Sequence, residues 1–245
     1  MKIKTLAQVK SKAHYTFDPH KVALHRPKIL AKVTRCISLW SHCEAQVGQV
    51  VAFALKGDNK LAMDMYLSIT SPGAASGVRR VATSVLPREY QDMFNAIMLL
   101  GKPLFVERSQ LAHWLIGYSK DLKHSLLIMD PRDGLRQLSH NITSTRSKRY
   151  DAARSLSPNE IRVLSPAYLT DLEKRLRGHY VSLGLFVGAL WGQEGGDWDD
   201  SITYEQFRWL YRDPQIVETI ARLRGEKPSK RKSRARPRVQ ARRAS

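Results

Sequence analysis

From Lys28 onward, apolar residues recur at three- and four-residue steps: Ile29, Val33, Ile37, Trp40, Val47 and Val51. That spacing places all of them on one side of a helix, because each step returns the chain to nearly the same face. The stripe continues until Gly57-Asp58, which should end it. A helix of this length buries its apolar face only against other long helices. The chain is therefore predicted to be mainly α, an antiparallel helical bundle.

The rest of the sequence supplies the partners. A second helix is predicted through Leu61, Met65 and Ile69. Ser71-Pro72 has the form of an N-cap followed by a first-turn proline, and the helix it opens should turn Val78, Val81 and Val85 inward. Pro87 opens another, with a stripe of Tyr90, Phe94, Ile97, Gly101, Leu104, Arg108, Leu111 and Leu115. Gly101 and Pro103 are expected to bend or briefly break it. Two short apolar runs, at 114–118 and 125–131, flank a polar turn and form a small β-hairpin in this reading. Residues 161–164 suit a short strand. Ser165-Pro166 repeats the cap and opens a long helix through Leu169, Leu172, Leu176, His179, Leu183, Phe186 and Leu190. Two short helices close the fold, the last capped by Asp213-Pro214.

Charge divides the chain further. Lys and Arg number 41 against 22 Asp and Glu, a formal net charge of +19. Residues 1–35 hold nine basic residues and one acid, and residues 226–245 again hold nine and one, which leaves 23 against 20 between them. A nearly neutral body with two basic ends is not a histone-like protein that is basic throughout. The expected organisation is a basic N-terminal arm at 1–27, a helical domain at 28–225 and a disordered basic tail at 226–245. Within the domain, 131–165 is a polar excursion and 166–225 holds the C-terminal helices. Lys230, Arg231, Lys232, Arg234, Arg236 and Arg238 of the tail are candidates for contact with the RNA backbone.

No apolar run approaches the length of a membrane span, and the first residues lack a secretory signal, so no membrane contact and a cytoplasmic address are expected. Cys36 and Cys43 share a helical face and suit two buried small residues better than a thiolate cage. The histidines show no ligand spacing with carboxylates, so neither metal nor cofactor is expected.

Two charges sit where helices should be apolar. With Trp40 at zero and about 100° per residue, Glu44 falls about 40° away, within the stripe. Arg108 occupies an apolar position in its own stripe. A buried charge costs several kcal/mol unless it is paired. Each residue is therefore the natural partner of the other, either as an ion pair that fixes helix register or as a pair that holds Arg108 at the edge of a cleft.

Arg108, four residues, then His113 close that helix. The arrangement resembles the Arg-x4–6-His signature of the HEPN superfamily, small α-helical bundles of which many are metal-independent ribonucleases with an active site built across a homodimer interface. The acid of the preceding long helix, Glu44, and a helix that ends at the motif are similar too. The resemblance spans about residues 28–130 and also extends to a group of bacterial helical proteins with such a hairpin. It implies a homodimer in which His113 moves protons, Arg108 stabilises charge on the phosphate, and RNA leaves as a 2′,3′-cyclic phosphate. Ser109 stands where the family usually has Asn, Asp or His, and it shares a helical face with His113. Arg108 and His113 lie about 140° apart on an ideal helix, so they meet at one phosphate only where the helix ends or a second chain contributes. Arg35 and His42 also fit the spacing, without an inward acid beside them. The alternative expectation is a non-catalytic helical module that binds RNA or a protein.

Overall fold

The computed structural model of the chain describes residues 3–10, 12–56, 59–69, 71–135, 157–192 and 200–226. Most of these are helical. In chain order the elements are β1 (Lys4–Thr5), α1 (Leu6–Lys10), β2 (Tyr15–Thr16), α2 (Pro19–His25), α3 (Pro27–Leu55), α4 (Asn59–Leu67), α5 (Pro72–Thr83) and α6 (Arg88–His113). Then follow β3 (Leu115–Ser119), β4 (Leu126–Met129), β5 (Arg162–Leu164), α7 (Pro166–Trp191), α8 (Asp200–Leu210) and α9 (Pro214–Leu223).

The predicted caps form. Ser71 Oγ accepts from the Ala74 amide, Ser165 Oγ from the Tyr168 amide, and the Asp213 carboxylate from the Gln215 amide. Each satisfies one of the amides that a helix start leaves without an intrahelical acceptor. Helix α3 ends at Lys56 in the left-handed region, φ 49°.

Three long helices make the frame. Trp40 of α3 meets Phe105 of α6, and Met93, Phe94 and Ile97 of α6 share a core with Val47, Val50 and Val51 of α3. These two helices therefore run in opposite directions. Along α7, Leu169 meets Cys36, His179 meets Trp40 and Trp191 meets Phe53, so α7 runs parallel to α3 and antiparallel to α6. Strands β3, β4 and β5 lie between α6 and α7 in the chain. Leu169, Leu172, Leu176, Leu183 and Phe186 are wholly buried, so the predicted α7 stripe is the central face of the bundle. Each such side chain contributes about 2 kcal/mol by leaving water. Helix α6 continues through Pro103 without a break.

The hairpin belongs to a five-stranded antiparallel sheet of order β1-β5-β4-β3-β2. β4 explains why its sequence is apolar throughout. Leu126 and Ile128 face the helices, while Leu127 and Met129 face a second small core with Leu6, Ala13, Ile161 and Val163. The N-terminal segment covers that second face and is not a free arm. Its strands are the two edges of the sheet, with Lys4 opposite Val163 and Tyr15 opposite Ser119. Two-residue strands carry too little sequence for any alternation to show. At Gly117 of β3 a Cβ would come within 2.5 Å of the Thr16 carbonyl, so glycine lets β2 approach.

Two further expectations are corrected. Val81 is 66% exposed, so α5 turns another face inward, and Val85, beyond the end of α5, is 65% exposed; only Val78 of the three packs on the core. Leu115 lies in β3, 41% exposed, and does not extend the α6 stripe. Most of the polar excursion, residues 136–156, and the tail from residue 227 lie outside the described residues. Among the described residues, no helix is long and apolar enough to cross a membrane.

Candidate functional site

Helices α3, α4, α5, α6 and α7 enclose a cleft of about 800 Å³. Its walls are mostly apolar, with Trp40, Val47, Met98, Phe105 and Leu183 among them. Glu44, Arg108, Ser109 and His113 all line this same cleft. Arg108 and His113 both line it although they stand about 140° apart on α6, which stops at His113. Trp114 is already extended (φ −85°, ψ 150°), and its amide closes the last turn on the Gln110 carbonyl at 3.0 Å.

The expected partners do face each other, with their burial reversed. A guanidinium nitrogen of Arg108 lies 4.0 Å from a Glu44 carboxylate oxygen, with side chains 17% and 43% exposed. Glu44 is thus a rim residue and not part of the buried stripe. At about 40° from Trp40 it stands on the stripe's shoulder, where the cleft admits water. Arg108 is the enclosed member. Its Nε is buried with no hydrogen-bond partner, and so is Nε1 of Trp40 on the neighbouring wall. His113 is exposed at the mouth, and Ser109 is half-buried.

Arg79 and Lys102 also line the cleft, and among the described residues Glu44 is its sole carboxylate. Arg79 is turned toward the Tyr66 hydroxyl, 2.8 Å away. Three cations against one anion over an apolar floor favour a ligand that carries negative charge.

His179 forms part of the cleft floor, 7% exposed and stacked on Trp40 with centroids 6.0 Å apart. Burial pushes its imidazole down to about 4, so it is neutral near pH 7. Gly101 makes room for it, since a Cβ there would stand 2.5 Å from the ring. His179 is a core residue, as its place in the α7 stripe suggested. Burial likewise pushes the Cys36 thiol up to about 11 and the Cys43 thiol to about 12. Among the described residues, no group of His, Cys, Asp and Glu could hold a metal ion. Arg35 is engaged elsewhere, 3.5 Å from Glu173, and His42 lies beside Tyr180. Lys230, Arg231, Lys232, Arg234, Arg236 and Arg238 lie outside the described residues.

The residue before Arg108 anchors a second polar group that the sequence reading missed. Glu107 takes both ends of the Arg175 guanidinium, at 2.7 and 2.8 Å, and accepts from the Tyr168 hydroxyl. Burial pushes the Glu107 carboxyl up, but the Arg175 and Tyr168 hydrogen bonds outweigh it and hold the carboxyl below its usual range. Asp171 holds the same guanidinium at 3.0 Å. Tyr168, Asp171 and Arg175 recur at helical steps on α7, the one sequence signal that could have found them.

The chain matches no family model, no curated protein and no solved structure.

Proposed function

We propose that the cleft is the active site of a metal-independent, HEPN-like ribonuclease. The observation that carries the reading is the convergence of Glu44, Arg108, Ser109 and His113 on one cleft at the end of α6. In this reading the 2′-hydroxyl of RNA attacks the adjacent phosphorus, the new 2′-O–P bond forms, and the P–O5′ bond breaks. An imidazole can both accept and donate a proton, so the exposed His113 either takes the 2′-hydroxyl proton or delivers one to the departing 5′-oxygen. Arg108 places a permanent positive charge beside the phosphoryl oxygens as they gain negative charge. Glu44 aims the guanidinium, and Ser109 sits one turn from His113 to orient its ring. The products are a 2′,3′-cyclic phosphate and a 5′-hydroxyl. The resemblance adds a homodimer to this proposal, and the basic tail would hold the RNA backbone.

One observation favours a second reading. Arg108 is largely enclosed and the cleft floor is apolar, which also suits a non-catalytic module that binds a partner there.

One experiment separates the two. Full-length wild type, Arg108→Ala and His113→Ala are incubated with single-stranded RNA without divalent metal. The nuclease reading expects cyclic-phosphate ends from wild type and about a 100-fold loss or more in each variant. Equal products from all three would sink it.

A further inference from the structure

A second concave site lies away from the cleft, where the α2–α3 junction meets the β3–β4 turn and the start of α7. It encloses about 450 Å³ and is lined by Arg26, Lys28, Lys32, Lys123, His25 and His124, with no carboxylate among the described residues that line it. Lys28 and Glu44 are sixteen positions apart on α3, which puts the two sites about 24 Å apart along that helix.

The cations come from distant parts of the chain, and Arg26 and Lys32 are held in place. Arg26 donates to the Ser119 carbonyl at 2.9 Å and to the His25 carbonyl at 2.8 Å, and its guanidinium lies 5.3 Å from the centroid of the Tyr118 ring. Its Nε is buried and has no partner. The Lys32 ammonium donates to the Thr170 hydroxyl at 2.7 Å. No carboxylate within salt-bridge distance of Arg26, Lys28, Lys32 or Lys123 is found among the described residues. Pro166, at the positive end of the 26-residue α7, closes the wall. Like charges gathered in a concavity repel one another, and a bound anion removes that repulsion.

We propose that this pocket binds a ligand with adjacent phosphate groups. Four permanent cations with no carboxylate call for several negative charges close together, which one carboxylate would not supply. The shared chemistry is a run of phosphates, from a free polyphosphate or from an RNA backbone. The proposal does not rest on the nuclease reading of the cleft.

The test uses the full-length protein and two charge reversals of equal net charge. Lys28→Glu with Lys123→Glu alters the pocket, while Lys60→Glu with Arg88→Glu alters exposed positions that do not line it. All four side chains are exposed, so the fold is expected to persist, and thermal unfolding verifies it. Lys123→Ala alone, in the exposed turn, is a milder third variant. Inorganic tripolyphosphate is titrated calorimetrically, and a short single-stranded oligoribonucleotide is followed by fluorescence anisotropy. The pocket pair should weaken binding about tenfold or more in at least one arm, with the control pair changing it less than about twofold. Loss on tripolyphosphate alone assigns a free polyphosphate, and loss on the oligoribonucleotide assigns a nucleic-acid backbone. Equal effects of the two pairs in both arms, or no binding by wild type in either, would overturn the proposal.

Discussion

Glu107 and Arg108 are neighbours on α6 and face opposite fates. Toward the start of α7, Glu107 is closed by two short bonds from Arg175 and a third from Tyr168. Toward the cleft, Arg108 has among the described residues only a 4.0 Å ion-pair contact, with a half-exposed Glu44, and its Nε has no partner there. One helix thus carries a satisfied charge and an under-satisfied one a single residue apart. Hydrogen bonds to charged groups are worth most when geometry is good on both sides. The Glu107 side is therefore built for stability, and the Arg108 side keeps donors in hand for something else.

Acid should separate the two sides most strongly. His179 lies in the cleft floor with its pKa depressed by burial from 6.5 to about 4, so the folded chain binds fewer protons than the unfolded one. Its contribution is complete above the unfolded value and is lost as pH falls from about 6.5 toward 4, up to about 3 kcal/mol. Glu107 is also depressed, but from 4.5, so its contribution is lost only below that value. Urea unfolding at a series of pH values should show a decline between pH 6.5 and 4.5 that His179→Leu removes. A decline of the same size in that variant would break the comparison.

Truncating the closed side comes next. Glu107→Ala leaves Arg175 with only Asp171, and stability should fall by about 2 kcal/mol. That is less than for a fully enclosed pair, because both side chains still reach water. The smallest effect belongs to the open side. Arg108→Ala should change stability by less than about 1 kcal/mol, because Glu44 is already solvated. A cost above that of Glu107→Ala would make Arg108 a structural residue and the cleft incidental.

Most of the frame could be read before any coordinates. The stripes of α3, α6 and α7 are long enough for periodicity to be unambiguous, and Ser71, Ser165 and Asp213 announce their helices by local chemistry alone. Several other features were not legible. β1 and β2 are two residues each, and what makes them strands is a partner far along the chain. The face that α5 buries depends on how it lies against α3, which Val78, Val81 and Val85 do not encode. Glu44 shows the limit of helical angles, since 40° from a buried tryptophan is interior or rim according to where the neighbouring helices diverge. Glu107 went unnoticed because its partners lie on α7 and it sits next to a more conspicuous arginine. The four cleft residues were all named from sequence, whereas the basic pocket arises from three segments that only folding unites.

The order of the strands also has a consequence for synthesis. β1 pairs with β5, and Leu6 is buried among residues that include Ile161 and Val163. Lys4, Thr5 and Leu6 therefore leave a ribosome long before their partners on β5 exist. Helices α3 to α6 can associate earlier through nearer contacts, while the sheet edge must close a very long loop. Until then Leu6 is uncovered, so the segment around it offers a chaperone exposed apolar surface during synthesis.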